Sequence, residues 1–168
     1  MVTFKNKSMH MERRKFLGYT AAAGAALMLN PFETFAATGT KARLALVGTG
    51  HRGSGFWGKA LNESFKDVVE FVGLCDINPG RMDYVKNAMK VECPVFINYE
   101  QMLQQTKPDY VIVTTVDSTH DEFIVKALEM GFNVITEKPM TTDEVKCKRI
   151  LDAEKRTGKK VIVAFNYR

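Results

Sequence analysis

Two kinds of apolar pattern alternate along residues 43–165. One is a short unbroken apolar run, the mark of a strand buried on both faces. Such runs fall at 43–47, 68–75, 95–97, 110–114, 133–136 and 160–165. The other places an apolar residue every three or four positions, the period of an amphipathic helix. Met82, Val85 and Met89 show it within 79–89, and Phe123, Ile124, Ala127 and Leu128 show it within 119–130. Further helices are predicted over 54–64, 99–105 and 141–156, with Gly131 and Gly158 as C-terminal caps. Strand and helix in strict alternation predict an α/β fold, a doubly wound parallel sheet with right-handed crossovers.

In such a sheet, ligands bind beyond the carboxyl ends of the strands. The first run leads directly into Gly48-Thr49-Gly50-His51-Arg52-Gly53, a G-x-G-x-x-G sequence at a strand-to-helix corner. Gly48 permits the tight turn, Gly50 lets a pyrophosphate approach the backbone, and Gly53 lets the next helix pack closely. His51 and Arg52 lie between them, at the start of a helix whose N–H groups point at phosphates. The second run ends in Asp76, 23 residues beyond Gly53, where a carboxylate bonds ribose hydroxyls and repels a 2′-phosphate. This favours NAD over NADP, with Arg81 as the contrary signal.

The later strands end in polar groups as well: 114–120, Glu137-Lys138-Pro139, and Asn166-Tyr167-Arg168. Thr115, His120, Glu137, Lys138 and Asn166 are therefore candidate cofactor contacts. Pro139 restrains the backbone at Lys138, and partial burial would lower the lysine's pKa towards a useful proton-transfer range. His120 is read first as a helix-start residue without catalytic duty. Asp117 and Thr119 are alternatively helix caps.

Composition narrows the function. The 168 residues are 45% hydrophobic and 26% charged, which excludes a disordered or disulfide-dense chain. Of the net charge of +5, residues 1–36 carry +3, as Lys5, Lys7, Arg13, Arg14 and Lys15 against Glu12 and Glu33. The remainder is nearly balanced and gives no case for nucleic acid. Cys75, Cys93 and Cys147 have no metal-type spacing and are read as small packed thiols, so no metal is expected. Residues 1–37 read as a leader: Arg13-Arg14 is followed by Phe16-Leu17 and a mildly apolar stretch too short to span a membrane. The arginine pair resembles a twin-arginine export signal, which implies a periplasmic or otherwise exported protein carried across folded.

Together Gly48–Gly53, Asp76, 115–120 and Glu137-Lys138-Pro139 resemble the Gfo/Idh/MocA oxidoreductases over residues 42–168. The resemblance implies a Rossmann domain, a bound NAD, and Lys138 near both nicotinamide and substrate as the catalytic residue. The substrate class it implies is a small sugar, polyol or glycoside. The family's Thr-Pro at the start of the fourth strand's loop is Thr115-Val116 here, so this loop is expected to sit differently against the nicotinamide ribose. Family members continue into a second α/β domain that forms the substrate pocket and the oligomer interface. The chain is thus expected to be the cofactor half of a longer enzyme. Two alternatives stay open: a redox-assisted glycosidase resembling the NAD-dependent α-N-acetylgalactosaminidases, and an isolated dinucleotide-binding module without catalysis.

Overall fold

The structure, a computed structural model, describes residues 39–165. The leader at 1–37 and the candidate contact Asn166 lie outside the described residues. β1 (Ala42–Val47) opens the sheet, followed by β2 (Val69–Cys75), β3 (Val95–Phe96), β4 (Tyr110–Val113), β5 (Asn133–Glu137) and β6 (Val161–Ala164). All pairings are parallel and the order is β3-β2-β1-β4-β5-β6. That is the doubly wound order, with its switch point between β1 and β4, and it bears out the expected fold class. β4 is buried at every position, as expected of a central strand covered by helices on both faces.

The connecting helices are α1 (Leu61–Phe65), α2 (Pro79–Met89), α3 (Tyr99–Thr106), α4 (His120–Glu129) and α5 (Glu144–Thr157). Their starts are set by capping side chains. Asn78, Asn98 and Asp143 each accept a hydrogen bond from the backbone N–H three residues on. The Asp143 cap starts α5 three residues later than position 141, where the periodicity places it. Arg43 donates from Nη1 to Lys107 O and from Nη2 to Thr106 O, tying the end of α3 to β1. Of the two alternative caps, Thr119 stands at the N-cap position of α4 without a side-chain cap bond, and Asp117 instead opens a 3₁₀ turn over Asp117–Thr119.

The first crossover departs furthest from the pattern. His51 and Arg52 already belong to the helix, before the predicted start at 54. Gly53–Ala60 is π-helical, and only then does α1 follow. The core gathers Ala45, Val47, Val111, Val113, Ile124 and Leu128 between sheet and helices.

Candidate functional site

Gly48 and Gly53 hold the corner after β1 by close approach. Gly48 has φ +90°, and a Cβ on it would lie 2.6 Å from the Thr114 carbonyl. A Cβ on Gly53 would lie 2.1 Å from Gly48 O. Thr114 Oγ1 donates to Gly48 O at 2.6 Å, so the end of β4 pins the loop. Gly50 differs from both. It lines a cavity of about 380 Å³, and a Cβ built on it meets nothing within 4 Å. The protein itself makes no steric demand for glycine there, and the space opens onto the cavity.

Asp76 stands at the end of β2 on the same cavity. Its Oδ2 accepts from Thr49 N at 2.7 Å and Thr49 Oγ1 at 2.8 Å, and its Oδ1 accepts from Asn78 N at 2.9 Å. Burial pushes the carboxyl up. Hydrogen bonds from Asn78 and Thr49 and the charge of Arg81 outweigh it and hold the group below the usual aspartate value. Asp76 is therefore anionic and fixed, with acceptor capacity left on Oδ1. Cys75 lines the cavity beside it, where burial and the Asp76 charge push its thiol up to about 11, leaving a protonated, unreactive wall.

A second cavity of about 340 Å³ is lined by Arg52, Glu137, Lys138 and His120, and shares Thr114 and Thr115 with the first. The two form adjoining halves of one cleft along the carboxyl ends of β1, β4 and β5. Glu137, the last residue of β5, is 6% exposed. Its Oε1 accepts from Arg52 Nε at 2.6 Å and Trp57 Nε1 at 2.8 Å. Burial pushes this carboxyl up, while the Arg52 and Trp57 hydrogen bonds, the Arg52 charge and the Lys138 amide pull it below the usual glutamate value. Lys138 is exposed rather than partly buried, so the described residues do not desolvate it. The Lys138–Pro139 peptide is cis.

His120 is 1% exposed, with Nδ1 2.9 Å from Pro139 O and Nε2 3.1 Å from Thr115 O. Both partners are carbonyl oxygens, so a neutral ring donates to one at a time, and the Nδ1–H tautomer links the 115–120 loop to the Glu137-Lys138-Pro139 turn. Val116 has φ −68°, the value a proline ring would fix, with ψ 135°.

The cleft brings together Gly48, Gly50, Arg52, Asp76, Thr115, His120, Glu137 and Lys138. Gly53 lies beneath it, and His51 is exposed at the helix start. Two contributors went unread in the sequence: Thr49 orients Asp76, and Trp57 bonds Glu137, while Thr114, expected at the polar end of its strand, pins the loop. A hydroxyl residue between two glycines was the available signal for Thr49; Trp57 had none beyond its indole N–H. The open space at Gly50, the fixed carboxylate at Asp76 and a volume in the ordinary range of ligand sites fit a dinucleotide.

Comparison with known proteins agrees. The family model of Gfo/Idh/MocA proteins, described as an oxidoreductase family with an NAD-binding Rossmann fold, matches residues 42–165. The protein YteT of Bacillus subtilis strain 168 is 38% identical over 129 residues, which cover 74% of this chain and 30% of YteT. Inositol 2-dehydrogenase of Salmonella typhimurium strain LT2 is 28% identical, over 71% of this chain and 35% of that enzyme. Among solved structures, the WlbA dehydrogenase of Chromobacterium violaceum, in complex with NADH and UDP-GlcNAcA, aligns with a TM-score of 0.69 at 30% identity. That alignment covers 74% of this chain and 35% of WlbA. The chain spans about a third of the length of these relatives.

Proposed function

We infer the function from family membership: the chain belongs to the Gfo/Idh/MocA oxidoreductases, whose model matches residues 42–165. We propose that it forms the NAD-binding half of an enzyme that oxidises or reduces a sugar or polyol at a carbinol carbon. The observation that carries this reading is the pairing of open space at Gly50 with the anchored Asp76 carboxylate on one cavity. The relatives support the substrate class, since they include an inositol dehydrogenase and a dehydrogenase solved with NADH and a UDP-sugar acid.

When bound, a nicotinamide supplies acceptance or return of one hydride. The chain's own residues do the rest. Asp76 Oδ1 takes ribose hydroxyls, and its fixed negative charge repels a 2′-phosphate. Lys138, on the adjoining cavity, donates a hydrogen bond to the substrate hydroxyl and orients it. His120 keeps the loop and the lysine turn in register. We further propose that residues 1–37 direct export of the folded, cofactor-loaded chain. Fusion to a folded reporter tests this, with export expected and its persistence in an Arg13→Lys, Arg14→Lys double variant counting against it.

Calorimetric titration of the chain with NAD and NADP tests the main reading. NAD is expected to bind more tightly. Asp76→Ala is expected to weaken NAD about 10-fold or more, the scale of a hydrogen bond to a charged group. Asp76→Asn, which keeps an acceptor, should lose less. Saturation by neither nucleotide, or equal NAD affinity in Asp76→Ala, would sink it.

A further inference from the structure

Arg52, Trp57 and Glu137 form a cluster that dinucleotide binding alone does not require. They come from positions 85 and 80 residues apart, yet both donors converge on one oxygen of a buried carboxylate. Glu137 Oε2 in turn lies 3.3 Å from Lys138 N, which it accepts from. Arg52 stacks over the Phe56 ring at 4.3 Å, and Phe56 meets Trp57 edge-on at 5.3 Å. The guanidinium thus lies between an aromatic ring and a carboxylate.

Stability is a poor account of this arrangement. The Arg52 side chain is 37% exposed and the Glu137 side chain 7%, so the pair guards against a stranded carboxylate but is weak evidence of net stabilisation. Arg52 Nη2 is buried without a hydrogen-bond partner among the described residues, which is a cost. Apolar side chains would fill the same volume more cheaply. What the cluster does deliver is geometry. Arg52 belongs to the glycine loop, Glu137 immediately precedes Lys138, and Arg52 and Lys138 line one cavity.

We propose that Arg52, Trp57 and Glu137 are positioning residues that couple occupation of the glycine loop to the placement of Lys138. The proposal rests on the NAD-binding reading above. A dinucleotide seated on the loop restrains Arg52; Arg52 Nε and Trp57 Nε1 hold Glu137; Glu137 holds the backbone at Lys138. The coupling is reciprocal, so loosening the cluster weakens NAD as well as freeing the lysine.

Trp57 is the chain's single tryptophan, so its emission reports on the cluster directly. The test uses the full chain with NAD as probe and three readouts. These are NAD affinity by calorimetry, the change in Trp57 emission, and the rate at which Lys138 is acylated by a small amine reagent, mapped by mass spectrometry. In the unsubstituted chain, saturating NAD is expected to change the emission and slow acylation of Lys138. Glu137→Gln and Arg52→Lys are expected to weaken NAD about fivefold or more and to abolish the NAD-dependent slowing. Trp57→Phe, which removes one N–H and keeps a ring, should give a smaller loss in the same direction and serves if Glu137→Gln does not fold. Asp76→Ala, at saturating NAD, should keep the slowing. Failure of the unsubstituted chain to bind NAD overturns both readings. Normal NAD binding with Lys138 protected equally in Glu137→Gln, Arg52→Lys and Trp57→Phe overturns this one alone.

Discussion

Gly53→Ala is expected to destabilise the fold by about 3 kcal/mol or more, the upper end of what overpacking costs. The new methyl would sit 2.1 Å from Gly48 O and 2.7 Å from Thr114 Oγ1. Neither neighbour can yield cheaply. Gly48 O is held by the Thr114 hydroxyl, and that hydroxyl also lies 3.1 Å from Val47 O. Relief requires moving the helix start away from β1, which opens the loop that faces the cavity. Gly50→Ala supplies the contrast. Its methyl enters open space, so the thermal midpoint should hold while NAD binding is lost. Paired melting curves and NAD titrations separate the two effects. A Gly53→Ala protein that melts with the unsubstituted chain would show that the corner is looser than its contacts imply.

The second large effect lies on the outer helices. Asp121 is 2% exposed in its side chain and sits between two cations. Lys146 Nζ lies 3.3 Å from Oδ1, and Arg149 Nη1 lies 3.0 Å from Oδ2. Lys146 also donates to Ser118 O, so it ties α5 to the 115–120 loop. The two sides of this contact are unequal. The lysine and arginine side chains are 31% and 55% exposed and regain water if the acid is removed. The carboxylate cannot. Replacing both cations, Lys146→Met with Arg149→Met, should therefore cost about 3–5 kcal/mol, the penalty of an uncompensated buried charge. Asp121→Asn should cost clearly less. Urea midpoints for the two proteins give the comparison. The reverse order would mean that Asp121 acts through its hydrogen bonds rather than its charge.

The parallel sheet was legible in the sequence because its inner strands are covered on both faces. Residues 110–113 are apolar without interruption for that reason, and all four are buried. Where side-chain hydrogen bonding overrides periodicity, legibility ends. Asp143 caps the backbone at Lys146 and delays α5. β5 runs one residue beyond its β-rich run, because Glu137 still pairs in register with Ala164. The cleft divides in the same way. Gly48, Gly50 and Asp76 declare themselves by residue type and offset, since few residues suit those places. Trp57 does not, because an indole on a helix reads as core until the carboxylate that receives its N–H is located across 80 residues. Glu137 was read as a ligand contact, and the structure shows its carboxylate engaged by Arg52, Trp57 and the Lys138 amide.

The π-helical turn at Gly53–Ala60 has a consequence for how this corner tolerates insertions and deletions. A π turn accommodates more residues than an α turn over a similar rise, and usually appears as a brief bulge at functional positions. Here it separates two demands on neighbouring residues. Gly53 must face Gly48 at one end, and Trp57 must face Glu137 a turn later. Losing one residue between them would rotate the indole around the helix axis and away from its acceptor. The length of the segment between the last loop glycine and the tryptophan is therefore under tighter constraint than its composition. Residues such as Ser54 and Gly55 are free to vary in kind but not in number.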